Sequence, residues 1–397
     1  MAGPLEGVKI LDLSWVLSGP FSTMVLGDLG AEIIKLERPQ TGDLARGNGP
    51  FLNGESSYFM SINRGKKSMT IDLQSDRGKE LFLELVKKVD VLVENFVPGT
   101  MKRLGLDYEI VKEQNPGIIY ASISGFGQTG PDSQTRALDI VIQAMGGIMS
   151  ITGEPDGPPV KPGASMGDIT AGLFTAVGIL SALHERNKSG VGQAIDISML
   201  DCQMSILENA FGRYFATGEV PQRIGSRHPV FTPFQSFETK DGSIVVAMVG
   251  GVRNQWPLFC AIIGRLDLMD DERYLTGEQR TDHYAELEPI LSEAMKTKNT
   301  AEWLKELTEV GIPCGPINTI DMVAAHPQVQ YREMITEVPH PRLGKVKIIN
   351  SPVKLSRTPV NISQSAPDLG QDTADLLSEL LGMSRDEIDK LRETEII

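Results

Sequence analysis

A chain of 397 residues, 41% of them hydrophobic, exceeds the roughly 250–300 residues at which one core stops growing, so two lobes are expected. Its 38 basic and 52 acidic residues leave a formal charge of −14, which excludes a dedicated nucleic-acid binder and requires any phosphate-bearing ligand to find a local basic pocket. The cysteines Cys202, Cys260 and Cys314 lack CxxC spacing, and no signal peptide or apolar run near about 18 residues stands out, so a cytoplasmic chain without disulfide framework, zinc site or membrane span is expected.

Up to residue 125 strand and helix patterns alternate. Val8 to Leu13 reads as an apolar strand, Gly19-Pro20 punctuates it, Phe21 to Gly30 reads as a helix and Ala31 to Glu37 as a second strand. Ser68 to Leu73 is the next strand, and Ser75-Asp76 supplies cap chemistry for a helix with Leu81, Phe82, Leu85 and Val86 on one face. Asp90 to Glu94 forms a strand ending at Asn95-Phe96, Met101 to Gln114 a helix, and Ile118 to Ile123 a strand running into the glycine-rich Gly125–Pro131. Repeated βα units predict an open parallel sheet, and such α/β sheets bind ligands beyond the carboxyl ends of their strands. Asp168 to Leu183 reads as a helix with small residues on related faces, Ala194 to Met199 as a strand and Leu200 to Ala216 as a helix. Gly218 to Pro233, rich in Gly, Pro and Arg, is a linker. Phe234–Phe237 and Ser243–Met248 flank Lys240-Asp241-Gly242 as a hairpin, helices near 254–263, 285–297 and 301–310 follow, and Ser384 and Glu387 are spaced as a capping box before the last helix.

Short motifs of other chemistries fail on spacing. Gly19, Gly27 and Gly30 do not make GxGxxG, so close backbone approach to a pyrophosphate is not provided. Gly65-Lys66-Lys67-Ser68 lacks the upstream glycine of a P-loop and reads as a solvated turn. The histidines show no metal-ligand spacing and no serine sits in GxSxG, which removes a hydrolase triad. Asp168, directly before an apolar helix, reads first as an N-cap. The permissive Gly163–Gly167 before it, and a helix dipole expected to keep its carboxylate ionised, also make it a candidate nucleophile.

Seven ordered segments then carry a resemblance over nearly the whole chain: LEGVKILDLSWVLSGPF, LGDLGAEIIKLERPQTGD, NRGKKSMTIDL, VLVENFVPGTMKRLG, IIYASISGFGQTGP, the run from Gly167-Asp168-Ile169-Thr170 through SALHERNKSGVGQAIDISMLD, and VGIPCGPINT. The chain resembles the family III CoA-transferases, typified by formyl-CoA:oxalate CoA-transferase, and more closely the members acting on oxalate and short dicarboxylates. The resemblance implies a large doubly wound (Rossmann-like) CoA-binding domain beginning with 1–200, a helix and linker at 201–230, a small α/β domain at 231–322, and 323–397 returning to the large domain. It also implies a homodimer of interlocked rings, acyl-CoA and a carboxylate as substrates, and neither metal nor permanently bound cofactor.

Carried over by matching motif, Asp168 takes the nucleophile position and Gly250-Gly251 a shielding loop that, with the Val16–Leu17–Ser18 backbone, meets the oxyanion. Arg38 and Arg103 are expected at the CoA phosphates, with Leu73, Asn95, Phe96 and Arg136 along the CoA channel and Met199 beside the thioester. Arg46, Arg227 and His228 are candidates to anchor the acceptor carboxylate, and Asp139 is a further candidate substrate-site residue. Leu17 replaces the glutamine of the formyl-CoA enzyme, which disfavours a formyl donor and leaves acetyl- or succinyl-CoA. Ala137-Leu138-Asp139 lacks the histidine of the related α-methylacyl-CoA racemases, so the racemase reading loses one of its two bases. A non-catalytic acyl-CoA-binding paralogue is the reading from another class, and retention of Asp168 speaks against it.

Overall fold

The computed structural model describes residues 3–249 and 255–397, so Gly250-Gly251 lie outside the described residues. The chain forms two compact units: Met1–Ile148, Lys161–Ala216 and Gln328–Ile397 make the first, Met149–Val160 and Thr217–Pro327 the second. The boundaries read from the sequence differ in three places. Residues 149–160 leave the large domain for the second unit, where the Gly225 N–H donates to the Gly153 carbonyl at 2.9 Å and ties them to the linker. Residues 201–216 stay with the first unit, and residues 323–327 stay with the second.

The first unit begins with β1 (Lys9–Asp12), α1 (Ser18–Asp28), β2 (Glu32–Glu37), α2 (Ser57–Ile62), β3 (Lys67–Thr70), α3 (Asp76–Val86) and β4 (Val91–Glu94). The single helix expected at 101–114 is two, α4 (Thr100–Leu104) and α5 (Tyr108–Gln114). Gly105 breaks it at φ 72°, a left-handed conformation glycine adopts without a Cβ clash, and the Asp107 side chain caps the second piece. There follow β5 (Ile119–Ser124), α6 (Asp139–Met145), α7 (Met166–Ser189), β6 (Ala194–Ser198), α8 (Met199–Ser205) and α9 (Glu208–Thr217). The strands form a six-stranded, wholly parallel sheet in the order β3-β2-β1-β4-β5-β6. The order reverses between β1 and β4, which is where open α/β sheets leave a crevice.

Successive strand residues serve opposite faces. Leu11, Ile34, Leu92 and Tyr120 join one core with α3, while Ile10, Ile33, Val91 and Ile119 join a second with α1 and α7. Burial on both faces is why these strands read as continuous apolar runs rather than alternating ones. By length and composition α7 is apolar enough to cross a membrane, yet half of that apolar stretch is buried. Its small residues explain the packing, since a Cβ added at Gly172 would come within 2.7 Å of the Ser18 carbonyl oxygen.

The second unit carries an antiparallel sheet of β7 (Phe234–Glu238), β8 (Ser243–Ala247) and β9 (Cys314–Pro316). The predicted hairpin closes at Thr239, whose N–H donates to the Gly242 carbonyl. Helices α10 (Trp256–Ile262), α11 (Gly277–Asp282), α12 (Tyr284–Met295) and α13 (Thr300–Glu309) cover it around Trp256, Phe259 and Trp303. The chain ends in the first unit with the hairpin β10 (Ile335–His340) and β11 (Gly344–Ile349), then α14 (Thr373–Leu381) and α15 (Arg385–Glu393). The Thr70 N–H donates to the Thr373 hydroxyl and the Ser68 N–H to Asp372, which docks α14 beside β3.

Candidate active site

The site is built outward from the carboxyl end of β1. Its continuation, Ser14 to Leu17, is pinned at five backbone points. Ser14 N–H donates to Asp12 at 2.9 Å, and the Ser14 carbonyl accepts from Lys35 at 2.8 Å. Asn95, just past β4, accepts from Trp15 N–H at 2.9 Å and donates to the Trp15 carbonyl at 2.8 Å. Val16, at φ 64°, donates its N–H to Asp43 at 3.0 Å. A β-branched residue is strained in that left-handed region, and it persists where surrounding bonds over-determine it.

Charges buried under this segment hold the pins in place. Lys35 and Asp43 pair at 2.8 Å, and Lys66 pairs with Asp12 at 2.9 Å while donating to the Thr23 hydroxyl and the Pro20 carbonyl of α1. Burial alone would raise the Asp12 carboxyl, but Lys66, Lys35 and the Ser14 and Thr23 hydroxyls outweigh it and hold it at about 2. The turn at Gly65–Ser68, expected to be solvated, is therefore corrected: the Lys66 side chain is fully buried because Asp12 draws it under the sheet.

Asp168 sits where the N-terminus of α7 meets that of α1. It is not the N-cap that its sequence position suggested. The helix begins two residues earlier, at Met166, and Ser165 at the cap makes no side-chain bond. The cap comes from α6 instead, where Asp139 Oδ1 accepts from the N–H groups of Gly167 at 2.9 Å and Asp168 at 3.4 Å. Gln143 Nε2 donates to the other Asp139 oxygen at 2.7 Å and fixes it. The expectation that the helix dipole keeps Asp168 ionised is also overturned. Burial, and then the Asp139 charge, push its carboxyl up to about 7 against a bond from the Ser18 hydroxyl. The dipole is already answered by Asp139. Tyr58 lies in the same field, its phenol raised to about 12 by burial and then by Asp168, Asp43 and Asp139, so it stays a neutral donor.

Against the Leu13–Trp15 stretch opens a cavity of about 820 Å³. Arg38, Leu73, Phe96, Arg103 and Arg136, all expected there, line it, and so does Trp15, which was not expected. Three guanidinium groups line this cavity, alongside Lys35 and the carboxylates Glu37, Asp43, Asp72 and Glu395, and guanidinium forks suit a phosphorylated ligand. Asn95 is not among the residues lining this cavity and clamps the Trp15 backbone instead. Val16 N–H, expected to face an oxyanion, is spent on Asp43, which leaves Leu17 and Ser18 at the start of α1, where first-turn N–H groups have no partner within the helix. Met199 begins α8 and is buried in the core beneath α7.

The acceptor candidates fare differently. Arg46 is occupied, with both oxygens of Glu37 at 2.7 and 2.8 Å, the Pro367 carbonyl at 3.1 Å and its guanidinium over Phe59. In the second unit Arg227 lies over the Tyr284 ring at 4.2 Å. His228 stacks on Phe231 and accepts from the Val230 and Phe231 N–H groups through Nδ1. Sequence reasoning missed Trp15, Asp43, Tyr58 and Gln143. Their signals were present only as unassigned polar or aromatic residues near the matched segments. Among the described residues no group of three or more His, Cys, Asp or Glu is arranged to hold a metal.

Known proteins align with this chain nearly end to end. The model of CoA-transferase family III matches residues 5–373. A succinyl-CoA:glutarate CoA-transferase of Mus musculus is 42% identical over 98% of this chain and 89% of its own length. An acetyl-CoA:oxalate CoA-transferase of Acetobacter aceti is 42% identical over 84% of this chain and 85% of its own. Among solved structures, a CAIB/BAIF family protein from Brucella suis superposes with a TM-score of 0.85 at 38% identity, covering 96% of this chain and 100% of that one.

Proposed function

The chain belongs to CoA-transferase family III, and from that premise we propose that it moves CoA between acyl-CoA and a carboxylate through covalent attack by Asp168. The observation that carries the reading is the placement of Asp168 beside Ser18 at the start of α1, with Trp15, three residues upstream, on the wall of the arginine-lined cavity. Three residues of extended chain span at most about 10 Å, so one short segment joins Ser18, beside Asp168, to the cavity wall. The enzyme class, acyl-CoA:carboxylate CoA transfer, follows from the family.

The Asp168 carboxylate attacks the donor thioester carbonyl and the C–S bond breaks, giving a mixed aspartyl anhydride and CoA thiolate. The thiolate attacks the aspartyl carbonyl, forming an aspartyl-CoA thioester and releasing the donor carboxylate. The acceptor carboxylate then attacks that thioester, and the returning thiolate takes the new acyl group to regenerate Asp168. Each step exchanges one activated acyl link for another. Only the ionised carboxylate attacks, and a desolvated one does so without a water shell to shed. The oxyanion falls to N–H groups at the start of α1, a kind of donor typically worth about 3–4 kcal/mol.

Acetyl-CoA or succinyl-CoA as donor, and oxalate or glutarate as acceptor, are the substrates this reading favours, in keeping with the relatives' names. The working form is a homodimer. Its support is exposed apolar surface: Leu173 and Val177 project from α7, and Phe215 from α9, a helix with no buried residue. The test is direct. Asp168→Ala abolishes transfer while still binding CoA, and hydroxylamine added during turnover with acyl-CoA marks one carboxylate, located by mass spectrometry. Near-normal turnover in the variant, or a mark on another carboxylate, would sink the mechanism.

A further inference from the structure

We propose that Trp15 is a CoA-contacting residue, its indole forming with Arg38 and Phe96 the wall that receives the phosphorylated adenosine end of the molecule. This rests on the CoA-transferase reading and goes beyond it by naming which half of CoA meets which side chain. The Trp15 ring is half-buried on the cavity wall. Phe96 meets it at 81° with centroids 5.4 Å apart, and the Arg38 guanidinium lies over it at 5.7 Å from the centroid. A cation held over an indole face is attracted by the ring quadrupole. The pair thus brings a π surface and a phosphate-binding fork into contact, which is the pairing of chemistries that a purine bearing phosphates offers in return.

The ring is also held ready. Asn95 fixes both backbone polar groups of Trp15, and Asp12 and Asp43 fix the N–H groups of its neighbours. Phe96 is set by the same strand end, because its N–H donates to Glu94 at 2.8 Å. Little side-chain or loop freedom is left to lose when a ligand arrives, which favours binding. Arg103 and Arg136 line the same cavity.

The chain contains three tryptophans, and Trp256 and Trp303 are 1% and 0% exposed within the second unit, so a ligand-dependent change of indole emission reports on Trp15. CoA and adenosine 3′,5′-bisphosphate are expected to alter the emission of the wild-type protein, pantetheine is not, and Trp15→Phe is expected to abolish the response. In steady-state assays Trp15→Phe raises KM for acyl-CoA about threefold and Trp15→Leu about tenfold, the latter with kcat within about twofold of wild type. Circular dichroism confirms that both variants fold. A response that persists in Trp15→Phe, a response to pantetheine alone, an unchanged KM in Trp15→Leu, or calorimetric CoA binding with unchanged emission overturns the assignment. Calorimetry that finds no CoA binding at all to the wild-type protein removes the CoA-transferase reading as well, which separates the two failures.

Discussion

At the N-terminus of α7 two carboxyl groups lie close together, and only Asp139 caps the helix. Asp139 takes the N–H groups of Gly167 and Asp168. Asp168, raised by its burial and then by the neighbouring Asp139, is held at about 7. Attack needs the ionised form, so kcat/KM for acyl-CoA is expected to fall as pH drops through about 7, where the free enzyme's Asp168 takes up a proton. Asp139→Asn keeps an oxygen for the Gly167 N–H but removes the like charge, so its acid limb moves to lower pH in a pH–rate profile. An unmoved limb would leave burial as the sole cause of the raised value. Residue type alone could not foresee this arrangement, since Asp139 and Asp168 are joined only by the fold. Arg46 teaches the converse: it looked like a carboxylate anchor in sequence, and Glu37 at the end of β2 had already claimed it.

Among the elements, the crossing of α1 and α7 decides whether Ser18 reaches Asp168. Gly172 permits it, because an added Cβ would meet the Ser18 carbonyl oxygen at 2.7 Å and Phe21 at 3.0 Å. Gly172→Ala gains about 1 kcal/mol of helix propensity but costs about 1–3 kcal/mol in overpacking against a backbone atom that cannot rotate away. The second effect is the larger at this position. The variant is expected to unfold at a lower temperature and to lose kcat, as Ser18 is pushed from Asp168, both read by calorimetry and steady-state kinetics on the same preparation. Small residues at this helix were visible in the sequence as a sign of close packing. The partner that required them was not. The helix expected at 101–114 shows a similar limit, since apolar spacing continues across Gly105 although the backbone turns there.

For the whole molecule, the reversal of strand order between β1 and β4 brings Trp15 and Asn95-Phe96, far apart in sequence, to one crevice. Arg38, Arg103 and Arg136 reach the cavity there from three different connections, which is how a chain of formal charge −14 gathers three guanidinium groups in one place. The apolar residues left exposed on α7 and α9 call for a cover that the single chain does not provide among its described residues. Light scattering after size exclusion is expected to give twice the chain mass of 43.3 kDa, unchanged on dilution into the nanomolar range. A monomeric mass would remove the dimer from the proposal.

Strand positions, the parallel sheet and the ordered segments were legible in the sequence, because they depend on local periodicity and on contiguous residues such as Leu5–Phe21 and Val91–Gly105. The capping box at Ser384 and Glu387 was legible for the same reason. The ionisation of Asp168, the burial of Lys66 against Asp12 and the pinning of Val16 by Asp43 were decided by tertiary structure alone. Each depends on desolvation and on a charged partner brought from a distant strand or helix, and neither quantity has any expression in the spacing of residues along the chain.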